Sequence, residues 1–120
     1  MVKTFNLTLD LIKKTSNPLI TIKKDEIADI TFAFQLLNDD VPVNLTGTTL
    51  RIAVSTPNRT YLAEDCTITD ATSGQFSVLM TSATYAIIGD YSAQIYWFNG
   101  AETNITDKFY YESVLDIPMT

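Results

Sequence analysis

Hydrophobic and polar residues alternate with a period of two along most of this chain, the signature of extended strands with one buried face. The alternation is strictest in residues 89–100, GDYSAQIYWFNG, where Tyr91, Ala93, Ile95 and Trp97 share one face and Ser92, Gln94, Tyr96 and Phe98 share the other. That stretch reads as a central strand. Nearer the N-terminus, Phe5, Leu7, Leu9 and Leu11 alternate with Asn6, Thr8 and Asp10 until Ser16-Asn17-Pro18 breaks the pattern. A short strand over Leu19 to Ile22 follows, then a charged turn at Lys23 to Glu26. Ile30, Phe32, Phe34 and Leu36 make the next buried face, and Asn38-Asp39-Asp40 closes it as a turn.

In Val41–Thr49, Pro42 argues for an edge or connecting position and Gly47 for a tight bend. Leu50, Ile52 and Val54 then point inward, and Pro57-Asn58 turns the chain. Cys66 and Ile68 alternate with Thr67 and Thr69, and Asp70 to Gly74 turns into Phe76, Val78 and Met80. Alternation fails between Thr81 and Ile88, so a single helical turn capped by Ser82 is expected there. Asn99-Gly100 signals a turn before a last strand over Lys108 to Ile117, with Phe109, Tyr111 and Leu115 on one face.

Seven or eight short strands with little helix predict an all-β, immunoglobulin-like antiparallel β-sandwich. Gly89-Asp90-Tyr91 has the Gly-x-Tyr form that opens strand F of an immunoglobulin domain, where a tyrosine fixes the corner. An antibody domain places a cysteine two residues on. Here that residue is Ala93, and the single cysteine of the chain, Cys66, excludes an internal disulfide. Cys66 is therefore expected to serve as a small buried hydrophobe.

At 120 residues the chain fits one domain, 1–120, able to bury roughly two-thirds of its unfolded surface without metal or crosslink. A hydrophobic content of 46% against 18% charged residues favours a packed core over disorder. The net charge of −6, with no basic run longer than Lys13-Lys14 or Lys23-Lys24, disfavours nucleic acid and anionic membranes as partners. No signal-peptide pattern and no stretch of roughly 18 apolar residues is present, so the chain is expected to be soluble as made.

Histidine is absent, which removes the usual general base, the Ser-His-Asp and Cys-His arrangements and most zinc sites. The acidic pairs Asp39-Asp40 and Glu64-Asp65, and Asp25-Glu26 with Asp29, fall in expected turns, where acids are normally just solvated. No catalytic residue, cofactor site or metal site is expected. Asn-x-Thr triplets at Asn6, Asn44, Asn58 and Asn104 fit the chance yield of a threonine-rich chain. The apolar surface of interest is the outward face of the central strand, Gln94, Tyr96 and Phe98, together with Tyr110. Exposed aromatics on an acidic sandwich suggest a binding module.

Several motifs in order carry a family resemblance. Pro42-Val43-Asn44-Leu45-Thr46-Gly47 follows a strand ending in Asn38-Asp39; then come Cys66-x-Ile68-x-Asp70 with Gly74, and Gly89-x-Tyr91. Together they resemble the N-terminal domain of the baseplate upper protein of tailed phages infecting Gram-positive bacteria, over roughly Lys24 to Ile117. The resemblance implies a virion structural protein of a phage or prophage tail, made in the bacterial cytoplasm and assembled into the baseplate. It implies an adaptor that docks to the baseplate core, contacts other tail proteins and supports host-receptor-binding components, without enzymatic activity. Leu45 and Gly47 would form one corner, Gly74 would start the strand that follows, Gly89 and Tyr91 would form a second corner, and Trp97 would anchor the core.

This chain departs from the family in having Asn44 where aspartate is common, and in stopping at Thr120 where the family usually continues into a helical, trimerising region. Homo-oligomerisation and receptor binding by that region therefore do not carry over to these residues. The alternative function, from another class, is a carbohydrate-binding or adhesive immunoglobulin-like module that stacks sugar rings on Tyr96, Phe98 or Tyr110.

Overall fold

The computed structural model describes residues 2–14, 17, 19–23, 29–80 and 88–114. They form β1 (Val2–Asp10), β2 (Ile20–Lys23), β3 (Asp29–Asn38), β4 (Val41–Pro42), β5 (Thr49–Ser55), β6 (Tyr61–Asp65), β7 (Thr67–Asp70), β8 (Gln75–Met80), β9 (Gly89–Asn99), β10 (Glu102–Ile105) and β11 (Phe109–Val114). No helix occurs among the described residues. The helical turn expected at Ser82, the charged turn beyond Lys23 and the end of the last strand from Leu115 lie outside them.

Two sheets face each other. One has the order β1-β3-β8-β7 with β4 paired to β3; the other has the order β2-β11-β9-β5-β6 with β10 paired to β9. The layered all-β sandwich matches the expectation from alternation. Eleven strands are described where the pattern marks seven or eight, because three short ones, β4, β6 and β10, run along strand margins. Most pairings are antiparallel, but β1 with β3 and β2 with β11 are parallel. A parallel pair needs a crossover between its strands. The passage of β2 through the opposite sheet supplies it for β1 and β3.

Period-two alternation becomes burial on the facing sides. Leu7 and Leu9 of β1, Ile30 to Leu36 on β3 and Phe76 to Met80 on β8 meet Ile52, Tyr91, Ile95, Phe109 and Tyr111 of the second sheet. Phe32 ties the layers together: its ring is edge-on to Phe5 at 6.0 Å in its own sheet and to Tyr111 at 5.5 Å across the core. Tyr91 and Tyr111, a cross-strand pair, stack at 4.7 Å and 11°. Such aromatic pairs contribute about 0.5–1.5 kcal/mol each beyond the burial of their area.

The turns are held by short polar side chains and special backbone. Leu45 is fully buried, its N–H donates to the Ala71 carbonyl at 2.8 Å, and its own carbonyl accepts from the Thr48 hydroxyl at 2.7 Å. Asn44 Oδ1 accepts from the Thr46 N–H at 3.0 Å and the Thr46 hydroxyl at 2.7 Å, the acceptor role an aspartate would fill there. At Gly74, φ is +71° and an added Cβ would lie 2.5 Å from the Leu36 carbonyl oxygen. Only glycine fits that combination.

Candidate interaction surface

The parity of β9 decides which of its side chains reach solvent. Tyr91, Ala93 and Ile95 are buried in the sandwich, whereas Ser92, Gln94, Tyr96 and Phe98 lie on the outer face of the second sheet. Cross-strand neighbours share a face, so Arg51 of β5 and Ile105 of β10 flank Tyr96, and Thr49 and Thr103 flank Phe98. The rings of Tyr96 and Phe98 stack at 6.4 Å and 28°. Both are half-buried, which leaves part of each ring presented outward.

Tyr110 stands on the same face and is 55% exposed, but its cross-strand partner is Ser92, four residues before Tyr96. Gln94 and Lys108 lie between them, so the three aromatic residues singled out from sequence fall at two places on one face, Tyr96 with Phe98 and Tyr110 apart from them. Gln94 has a structural task as well. Its Nε2 donates to the Thr106 carbonyl at 3.2 Å, while the Ile95 N–H donates to Thr106 Oγ1 at 3.0 Å. These bonds pin the connection between β10 and β11 against β9.

Small side chains open a shallow groove of about 210 Å³ beside this pair, lined by Ala53, Ser55, Ser92, Gln94, Tyr96, Lys108 and Tyr61. Tyr61 projects at the outer strand with 80% exposure. Sequence pattern alone did not find it, because β6 pairs only with β5 and its inward positions are no more than half-buried. Polar pairs frame the face. Arg51 Nε meets Asp65 Oδ1 at 2.8 Å on one side, and the Thr21 hydroxyl donates to Glu112 Oε1 at 2.8 Å on the other. Apolar rings inside a polar rim are the anatomy of a protein interface.

The remaining sequence-selected residues take these places. Gly47 lies in the exposed turn after Leu45, with φ +73° and open space where a Cβ would stand. Gly89 opens β9 with φ +140°, against the ring of Pro57, whose Cγ would lie 2.9 Å from a Cβ. Trp97 packs half-buried against the core, and its Nε1 is buried without a hydrogen-bond partner among the described residues. Cys66 is half-buried at the crossing from β6 to β7, and burial, then the charges of Asp65 and Glu64, push its thiol up to about 12.

The acidic turn Asp39-Asp40 is more than a solvated loop. Lys13 Nζ bridges to both carboxylates, at 3.4 Å from Asp39 and closer to Asp40. Beneath them, buried Asp10 accepts four backbone N–H groups: Ile12 at 2.8 Å, Lys13 at 3.0 Å and Asp39 at 3.1 Å on Oδ1, and Asp40 at 2.9 Å on Oδ2. The bond from Asp40, then that from Lys13, hold its carboxyl well below the usual carboxylate range. No group of three or more acidic or cysteine side chains that could hold a metal ion occurs among the described residues.

Fold and face together define a β-sandwich with a stacked aromatic pair on the outer face of one sheet. A family model, the BppU N-terminal domain, matches residues 3–119, and the chain belongs to that family. It is a structural component of a phage baseplate, the class to which the motif order pointed. No curated protein matches the chain. Among solved structures it is similar to the N-terminal domain of phage TP901-1 ORF48, with a TM-score of 0.76 at 15% identity, covering 92% of this chain and 97% of that one. At that identity the likeness is one of fold.

Proposed function

We propose that this chain is a non-catalytic adaptor of the phage baseplate, docking to the baseplate core through the outer face of its second sheet and supporting host-receptor-binding components. The observation that carries this reading is the aromatic pair Tyr96 and Phe98, stacked and outward in a polar frame, on a chain belonging to a baseplate family. A face of this kind gains affinity by burying a few aromatic anchors, each typically worth about 2 kcal/mol or more when truncated.

Titrating the core protein of the same tail into this chain by calorimetry tests the proposal. The double variant Tyr96→Ser/Phe98→Ser should weaken binding by about a hundredfold or more, while still unfolding cooperatively at a somewhat lower midpoint because the half-buried pair is lost. Wild-type affinity in the folded double variant would exclude this face as the docking surface. Affinity of the wild type for cell-wall saccharides, lost in the same variant, would instead support the carbohydrate-binding alternative.

A further inference from the structure

Strand β1 lies at the margin of its sheet, with β3 along one side. In a parallel ladder, alternate residues direct both N–H and C=O to the neighbour, and those between direct them away. The Leu11 N–H donates to the Leu37 carbonyl at 2.9 Å, continuing the ladder in which Asp10 is opposite Leu37. Odd-numbered residues of β1 therefore face β3. The backbone groups of Thr4, Asn6 and Thr8 face the other side, where no strand among the described residues pairs with β1.

At Thr8 that side is filled. Asn17 Nδ2 donates to the Thr8 carbonyl at 3.0 Å, and Asn17 Oδ1 accepts the Thr8 N–H at 3.1 Å. A carboxamide carries the donor and acceptor of a peptide unit, so Asn17 stands where a neighbouring strand would. Natural edges are usually blunted by lysine, proline or bulges. Thr4 to Thr8, Thr-Phe-Asn-Leu-Thr, contains no charge and no proline.

We propose that the edge of β1 away from β3 is a strand-pairing surface for β1 of a second copy of this chain, and that Asn17 holds it closed by occupying Thr8. A two-fold antiparallel pairing centred on Asn6 sets Asn6 opposite Asn6 and Thr8 opposite Thr4 of the other copy, with no like charges facing each other across residues 4–8. It needs the Thr8 groups that Asn17 takes. With Asn17 in place, the three-pair ladder shrinks to its central pair.

Sedimentation velocity over a concentration series tests this. Asn17→Ala should sediment faster than wild type as concentration rises, and Asn17→Ser covers the case in which the alanine variant does not fold. Adding Asn6→Pro should restore wild-type sedimentation, because that N–H lies on the side away from β3 and its removal leaves the β3 ladder intact. Folded Asn17 variants that sediment as wild type at every concentration overturn the proposal. So does self-association that survives Asn6→Pro.

Discussion

Asp10 Oδ2 accepts the backbone N–H of Asp40 at 2.9 Å across thirty residues of chain, tying the end of β1 to the turn after β3. Both Asp39 and Asp40 adopt positive φ, at 52° and 68°, a strained backbone that needs outside support. The Asp10 carboxylate supplies it to both amides.

The consequence is a defined pH dependence. The folded carboxyl of Asp10 sits below its unfolded value, so its contribution to stability is complete above the unfolded pKa and drains away as pH falls through the folded one. Asp10→Asn keeps an acceptor and loses the charge. Its urea midpoint should fall below wild type by a constant amount above about pH 5, and the gap should narrow below about pH 4. An unchanged gap from neutral pH to pH 3 would contradict this role.

Gly74 and Gly47 separate two costs of replacing glycine. Both have positive φ, but a Cβ at Gly74 meets two backbone oxygens, of Leu36 at 2.5 Å and Val43 at 3.0 Å, whereas at Gly47 it meets nothing within 4 Å. Gly47→Ala should cost about 1–2 kcal/mol from backbone conformation alone. Gly74→Ala should cost roughly 2–5 kcal/mol, since the overlap with fixed carbonyls adds to the same conformational term. Equal denaturant midpoints for the two variants would contradict the account of the corner.

Cys66 is predicted to be inert in the folded protein. With its thiol pushed up to about 12, almost no thiolate exists at pH 8, and the thiolate is the reactive form. An aromatic disulfide reagent should label Cys66 only when urea unfolds the chain. Native labelling at the rate of a free thiol would contradict the burial of this crossing.

The strands with two or more large inward residues were legible from alternation: β3, β5, β8 and β9 show inward residues such as Phe32, Ile52, Phe76 and Ile95 at the expected parity. So was the outward parity of Gln94, Tyr96, Phe98 and Tyr110. Strands β6 and β10 were not, because YLAED and ETNI pair at margins and bury little, so no hydrophobic period marks them. Sheet partners were also hidden, since alternation sets faces and not neighbours. Asp10 reads locally as a polar position ending a strand; its amide partners Asp39 and Asp40 are brought near by the β1–β3 pairing. The separation of Tyr110 from Tyr96 likewise follows from register, with Tyr110 opposite Ser92.

The place of this chain in a phage baseplate can be seen by immunogold electron microscopy of an induced lysate, with antibody raised against this chain. A baseplate protein gives gold at the distal end of tails. Gold on cell surfaces beside unlabelled tails would contradict that place.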